Sequence, residues 1–136
     1  MLFRSKIIDF HSHYMPPAVA EKTMFYKVHW SDAERQLTLM DQQNIEKAVL
    51  LYPTSDAHLN MKGWKAVAQA YNEGIGEILK QHRSRFIGAG ILPVDDPQAM
   101  TEELKRFDDL GFQVISMGSS YEGTYLDDEQ IGRAHV

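Results

Sequence analysis

Short apolar runs alternate with amphipathic segments along most of the chain. The runs are rich in aliphatic and β-branched residues, which predicts strands over 6–10, 47–52, 86–92 and 112–117. The segments between them repeat apolar residues three and four positions apart, which predicts helices over 18–25, 31–43, 64–82 and 96–110. Helices thus separate four successive strands, an order typical of a parallel α/β sheet.

Several residues mark where the helices begin and end. Ser31, followed three residues later by Glu34, has the pattern of a capping box, and Asn44 suits the left-handed residue that closes a helix. Asp95 or Asp96 is expected to cap the last helix, with Pro97 in its first turn and Gly111 at its end. The apolar spacing predicts the inward positions of these helices, which are Leu37, Met40, Val67, Tyr71, Ile75, Ile78, Leu79, Met100, Leu104, Phe107 and Leu110.

The third predicted strand carries Gly88 and Gly90 on one face. Small residues at alternating positions allow another backbone or side chain to approach closely, and we expect that approach inside a barrel. The second strand has the unbroken apolar run 48–51, which favours burial on both faces of a parallel sheet.

The clearest chemical signal is a pair of histidines, His11 and His13, directly after the first predicted strand. Residues two apart in an extended chain point to the same side, so both imidazoles can converge on one point beyond the strand end. Neutral imidazoles are common ligands of divalent metals. With a strand that we expect to be buried and that carries Asp9, the pair predicts half of a metal site. We interpret His29 and His58 as loop histidines.

Composition narrows the class of protein. The 136 residues suffice for one domain, and 43% hydrophobic and 24% charged residues are ordinary for a soluble protein. The absence of cysteine excludes thiolate ligands and a cysteine nucleophile. A net charge of -5 argues against a nucleic acid or an anionic membrane as partner. No apolar run reaches transmembrane length, and Arg4, Lys6 and Asp9 interrupt the start of the chain, so we expect a cytoplasmic protein.

Two parallel architectures compete for this pattern, an open doubly wound sheet and a (β/α)8 barrel. A nucleotide-binding open sheet usually has a glycine-rich turn after its first strand, whereas here that turn is His-Ser-His. Metal ligands at the carboxyl end of a strand are typical of barrel active sites. Four β/α units are half of such a barrel.

The chain resembles a known family in a set of landmarks that recur in order. They are Ile8-Asp9-Phe10-His11-Ser12-His13, Leu39-Met40-Asp41 with Ile45, Tyr71-Asn72-Glu73, Arg85-Phe86 with Leu92-Pro93, Leu110-Gly111-Phe112 and Leu126-Asp127-Asp128. Over about 6–130 the sequence is similar to the amidohydrolase-related metal enzymes of the aminocarboxymuconate-semialdehyde decarboxylase type. The resemblance implies the first half, about four β/α units, of a metal-dependent (β/α)8 TIM barrel.

The resemblance also implies a function. The family's reactions are nonoxidative decarboxylation of aromatic or enoic acids and hydrolysis of C–N, C–O or lactone bonds. The parent protein is therefore expected to be a carboxy-lyase or a hydrolase with a small-molecule substrate, which is a small carboxylic acid or a cyclic or aromatic compound. Self-association of the parent protein stays open. His11 and His13 would be its first two metal ligands, for Zn²⁺ in the first place or Mn²⁺ in the second. The other ligands and catalytic groups come from later strands, so this chain alone is expected to be inactive. Tyr14, Pro53, Met117 and Gly118 are candidates for the barrel mouth.

Two alternatives stay open. A metal-dependent phosphoesterase or deoxyribonuclease also begins with a strand and His-x-His, although a phosphate substrate favours a more basic surface. A non-catalytic half-barrel would bind a partner or itself through its open edge strands.

Both ends of the chain depart from the family pattern. Residues 131–136, Ile-Gly-Arg-Ala-His-Val, correspond to one reading frame of a common sequencing adapter, and residues 2–5 to a frame of the opposite adapter. We therefore expect one incomplete domain over 1–136, with family sequence over about 6–130 and no role for His135.

Overall fold

A computed structural model describes residues 6–23, 28–53, 61, 63–121 and 123–129. Four parallel strands form one sheet in the order of the sequence: β1 (Ile7–His13), β2 (Ile45–Leu51), β3 (Phe86–Gly90) and β4 (Val114–Ile115). This order confirms the predicted parallel α/β half-barrel, because each strand pairs with the next one along the chain. The predictions for the two chain ends and for His58 lie outside the described residues.

Helices connect these strands. They are α1 (Pro17–Ala20), α2 (Ala33–Gln42), α3 (Gly63–His82), α4 (Pro97–Lys105) and α5 (Phe107–Leu110), with a 3-10 turn at Val28–Ser31 before α2. After β4 comes a short antiparallel hairpin that the hydrophobic pattern did not predict, β5 (Ser120–Tyr121) paired with β6 (Thr124–Tyr125). Within the described ranges, no helix combines the length and apolarity that crossing a bilayer requires.

The predicted helix boundaries are confirmed at several points and wrong at two: the helix predicted over 18–25 ends at Ala20, and Ser31 is not the cap of α2. Asn44 has a φ of 57°, Gly111 has a φ of 81°, and Pro97 stands in the first turn of α4. The cap of α2, however, is Asp32, whose carboxylate accepts from Arg35 N at 2.9 Å. Ser31 belongs instead to the 3-10 turn before α2, and its hydroxyl donates to the Met15 carbonyl at 2.6 Å.

The last predicted helix is broken at Arg106 into α4 and α5, and its inward face differs from the prediction. Met100 and Phe107 are buried as expected, whereas Leu104 is 43% exposed. Its neighbour Glu103 is buried instead, because Asn72 and Arg106 both donate hydrogen bonds to its carboxylate.

The two glycines of β3 allow the close approach that we expected, but on the side of the helices and not inside a barrel. A Cβ on Gly88 would lie 2.6 Å from Leu79 Cδ1, and a Cβ on Gly90 would lie 2.4 Å from Phe107 Cζ. Phe112 lies within 3 Å of both added Cβ positions. The glycines therefore let α3 and the aromatic pair Phe107 and Phe112 pack directly on the strand.

The core lies between the sheet and the helices and includes the buried residues Met15, Val19, Leu50, Val67, Tyr71, Ile75, Phe86, Met100 and Phe107. Ala48, Val49 and Leu50 of β2 are buried as predicted. The prediction of a buried first strand is wrong, because β1 is at the edge of the sheet and Phe10 is 72% exposed.

Arg85 joins two of the family landmarks at the amino-terminal end of the sheet, its own and the one that contains Asp41 and Ile45. Its guanidinium donates to Asp41 Oδ1 at 2.7 Å and to the carbonyls of Ile45 at 3.2 Å and Glu46 at 3.0 Å. These bonds hold the start of β2 to the residue that precedes β3. They lie at the end of the strands opposite to the histidine pair, so we assign them to stability.

Candidate metal and substrate site

His11 and His13 belong to the last residues of β1, at the carboxyl end of the sheet. Their ring centroids are 4.8 Å apart and their planes are perpendicular. The pairing with β2 is irregular here, since Asp9 is opposite Ala48 and Ser12 is opposite Leu50. The extra residue on β1 is accommodated by the Asp9 carboxylate, which accepts from His11 N at 3.0 Å.

A backbone contact favours one tautomer of His13. Its Nδ1 lies 3.3 Å from the carbonyl oxygen of Leu51, and a carbonyl only accepts, so this nitrogen carries the proton when the contact is a hydrogen bond. Nε2 is then left with a free lone pair. Histidines that bind metals commonly donate their other ring nitrogen to a carbonyl in this way.

The spacing of the two rings fits a shared metal ion. An ion about 2.1 Å from one nitrogen of each of two imidazoles places the ring centres about 5 Å apart. The observed 4.8 Å agrees with this separation. Within the described residues no group of three or more His, Asp, Glu or Cys side chains could complete the shell. The described residues thus hold at most two neighbouring candidate ligands, His11 and His13.

A cavity of about 280 Å³ opens just past the carboxyl ends of β2, β3 and β4. It is lined by Tyr52, Pro53, Trp64, Ile91, Leu92, Ser116, Met117, Gly118, Ser120 and Tyr121. Of the four residues expected at the barrel mouth, Pro53, Met117 and Gly118 line this cavity. Tyr14 does not line it, because its ring is in the core and its hydroxyl donates to the Ser31 carbonyl at 3.4 Å.

Three aromatic residues, Tyr52, Trp64 and Tyr121, line the cavity. The sequence analysis selected none of them as a site residue. Trp64 and Tyr121 meet edge to face with centroids 5.3 Å apart, and Gly118 N donates to the Tyr121 hydroxyl at 2.7 Å. Tyr52 directly follows β2. Residues at the carboxyl ends of barrel strands form the active-site face, so the position of Tyr52 in the sequence could have indicated that it lines the cavity. Tyr121 is on the unpredicted hairpin, so no strand pattern pointed to it.

Behind Tyr52 lies Tyr71, which is fully buried as its core prediction requires. The two rings meet edge to face with centroids 5.1 Å apart. Burial, and to a smaller extent the neighbouring Tyr52, raise the pKa of Tyr71 well above its ordinary value of 10.0. Its hydroxyl therefore stays neutral and is not a base.

His29 is exposed, in agreement with its interpretation as a loop histidine.

Comparisons of the sequence with curated proteins find decarboxylases. The chain is 35% identical over 66 residues to 2-amino-3-carboxymuconate-6-semialdehyde decarboxylase of Dictyostelium discoideum, a match that covers 48% of this chain and 18% of the relative. It is 34% identical over 94 residues to gamma-resorcylate decarboxylase of Rhizobium radiobacter, which covers 66% of this chain and 29% of the relative. The matched segments are less than a third of these relatives. No protein-family model matches the chain.

Solved structures share the fold over nearly the whole chain. A Staphylococcus aureus protein described as an amidohydrolase has a TM-score of 0.77 and 25% identity, over 93% of this chain and 42% of that protein. Dihydroxybenzoic acid decarboxylase from Polaromonas sp. JS666, crystallised with manganese and the inhibitor 2-nitroresorcinol, has a TM-score of 0.73 and 21% identity, over 96% of this chain and 45% of that protein. The chain is thus similar in sequence to these decarboxylases and in fold to these solved structures, and it spans less than half of the length of each.

Proposed function

We propose that the longer protein to which this chain corresponds is a metal-dependent decarboxylase of small aromatic or unsaturated carboxylic acids. The observation that carries the proposal is the pairing of His11 and His13 at the carboxyl end of β1, on the same edge of the sheet as the aromatic cavity. The named relatives are decarboxylases, which favours carbon–carbon cleavage over hydrolysis and over the phosphoesterase alternative.

His11 and His13 would hold a divalent ion in this protein. The Leu51 carbonyl orients the ring of His13, and the Asp9 carboxylate fixes the backbone of His11. A bound divalent ion stabilises negative charge on a substrate carboxylate or carbonyl oxygen. Crystals of decarboxylase neighbours contain manganese, which is the second of the two metals expected from the sequence. We therefore propose a single divalent ion that is either Zn²⁺ or Mn²⁺.

The cavity would bind the flat part of the substrate. Its volume of about 280 Å³ is near the lower end of ligand pockets, which suits a molecule of one ring. The rings of Tyr52, Trp64 and Tyr121 provide apolar walls with polar tips, to which a planar unsaturated molecule can stack. The net charge of -5 also favours a small substrate over a nucleic acid.

Metal titration of purified chain tests this assignment. Wild-type chain should bind Mn²⁺ weakly, since two imidazoles are half of a usual shell, and calorimetry or electron paramagnetic resonance of free Mn²⁺ measures the affinity. The double variant His11→Ala/His13→Ala should lower that affinity by about tenfold or more. Loss of a group that merely hydrogen-bonds to a metal ligand already lowers metal affinity by about tenfold, and loss of the ligands themselves should cost at least as much.

His29→Ala is the matched control, since His29 is an exposed histidine away from β1. It should leave the Mn²⁺ affinity unchanged. Edge-to-face ring pairs without any metal role have centroids about 4.5–7 Å apart, a range that includes the 4.8 Å between His11 and His13. Equal Mn²⁺ affinity of the wild type and the double variant would therefore remove the metal assignment.

A further inference from the structure

Asn72 of α3 is completely buried and recognises both backbone groups of a single residue. Its Oδ1 accepts from Ile91 N at 2.9 Å, and its Nδ2 donates to the Ile91 carbonyl, also at 2.9 Å. A side-chain amide that satisfies the N–H and C=O of one residue takes the place of a neighbouring strand.

Ile91 is the residue where the sheet stops supplying such a neighbour. The pairing of β3 with β2 already ends at Gly88 opposite Leu50. The pairing with β4 ends at Gly90 opposite Ile115, with one further bond from Ser116 N to the Gly90 carbonyl at 2.8 Å. Ile91 itself is buried, so its backbone groups need partners from the protein. Asn72 provides both.

A buried charge fixes the orientation of the Asn72 amide. Its Nδ2 also donates to Glu103 Oε1 at 2.9 Å, and a carboxylate can only accept, so the amide nitrogen must face Glu103. The Glu103 side chain is 4% exposed and pairs with Arg106 at 2.9 Å. Arg106 in turn pairs with Glu73 on α3 at 2.9 Å. The network therefore joins α3 and α4 behind the end of β3.

The residue held by this network forms part of the cavity wall, since Ile91 and Leu92 both line the cavity. We propose that Asn72, oriented by Glu103, is a positioning residue that sets the wall of the substrate pocket at the end of β3. The assignment of the cavity as a substrate pocket rests on the function proposed above, whereas the positioning of Ile91 does not.

Amide hydrogen exchange of the chain, followed by NMR, tests the positioning. In Asn72→Leu the Ile91 amide loses its acceptor, so its exchange should accelerate roughly tenfold or more relative to the amides of 87–90. The amide resonances of Leu92 should shift in the same variant. Glu103→Gln keeps an acceptor for Asn72 but removes the charge, so it should accelerate Ile91 exchange by a smaller factor. If Asn72→Leu does not fold, Glu103→Gln provides the test.

Ile75→Ala is the control, because Ile75 is equally buried on α3 and makes no hydrogen bond to Ile91. It should accelerate exchange of Ile91 and of 87–90 by the same factor. If neither Asn72→Leu nor Glu103→Gln accelerates Ile91 selectively, the positioning role is wrong. Titration of wild-type chain with 2,6-dihydroxybenzoate separates the two proposals, since absence of shifts at Leu92 and Met117 would remove the pocket assignment alone.

Discussion

Tyr71 and Asn72 are neighbours on α3, and both side chains are completely buried. The Asn72 amide makes three hydrogen bonds, whereas the Tyr71 hydroxyl has no hydrogen-bond partner in the described part of the molecule. A buried hydroxyl without a partner costs about 1–3 kcal/mol. Tyr71 therefore contributes through its ring, which packs against Tyr52, and loses part of that gain at its hydroxyl.

Replacing Tyr71 with phenylalanine should raise the free energy of unfolding at pH 7 by about 1 kcal/mol, because the ring remains and the unpartnered hydroxyl is removed. Urea denaturation measures the difference. Tyr14→Phe is the control and should give no gain, since the Tyr14 hydroxyl donates to the Ser31 carbonyl. A loss of stability in Tyr71→Phe would show that the hydroxyl is satisfied.

Alkaline pH should reveal the same residue through its titration. The pKa of Tyr71 is raised in the folded state, so the unfolded chain releases this proton first as the pH passes its ordinary value of 10.0. The contribution of Tyr71 to stability is thus complete below pH 10 and declines above it, by up to about 1.4 kcal/mol per pH unit. In Tyr71→Phe the decline between pH 9 and pH 11 should be smaller; equal declines in both proteins would contradict the raised pKa.

At the scale of the elements, the sequence left two aspartates as candidates for the cap of α4. The structure selects Asp96, whose Oδ1 accepts from Gln98 N and Ala99 N, both at 3.0 Å. Asp95 is exposed next to it. The two residues therefore form a matched pair for mutation.

Asp96→Ala should lower the free energy of unfolding by about 1 kcal/mol, the usual cost of losing an N-cap side chain. Asp95→Ala should change it by less than about 0.5 kcal/mol, as expected for a surface position. Thermal or urea denaturation of both variants gives the comparison. Equal effects would mean that charge at this helix end, and not the cap hydrogen bonds, stabilises α4.

Glycines inside α3 show how packing outweighs helix propensity. Gly74 and Gly76 each cost about 1 kcal/mol relative to alanine in an isolated helix. A Cβ on Gly74 would lie 2.3 Å from Pro16 Cβ, and a Cβ on Gly76 would lie 2.9 Å from Leu110 Cδ2. The helix gives up propensity so that the segment before α1 and the end of α5 can pack against it.

At the scale of the whole molecule, the described sheet has two edges, β1 and β4. Apolar side chains are exposed on both: Phe10 is 72% exposed, Ile7 47%, Ile8 44% and Ile115 41%. A parallel strand with open backbone groups and apolar side chains is a template for pairing with another chain. The matched barrels are more than twice as long as this chain, so they have further residues with which to cover such edges.

The purified chain should therefore associate in a concentration-dependent way, which size-exclusion chromatography measures. Phe10→Lys should reduce the association, because a charge on an edge strand opposes pairing. Leu104→Lys is the control, since Leu104 is 43% exposed but on a helix. A wild-type chain that stays monomeric and unfolds in one transition above about 60 °C, at the high end for mesophile domains, would contradict the prediction.

The sequence by itself determined the architecture. The apolar runs 47–52 and 86–92 and the amphipathic segment 64–82 agree closely with β2, β3 and α3, because hydrophobic periodicity is local and reports which face of an element is buried. His11 and His13 could be paired from sequence for the same reason, since two residues two apart on a strand share a side whatever the rest of the fold.

Only the tertiary structure decided which polar residues are inside and which aromatic residues meet. Glu103 is buried in place of Leu104 because Asn72 and Arg106 both donate hydrogen bonds to its carboxylate. Asn72 precedes Glu103 by 31 positions in the chain, and Arg106 follows it by three. The cavity likewise joins Tyr52, Trp64 and Tyr121 from three separate elements. Such contacts depend on how the elements pack, and no local periodicity encodes them. The packing also places Gly88 and Gly90 against the helices, where the sequence showed no more than a shared face.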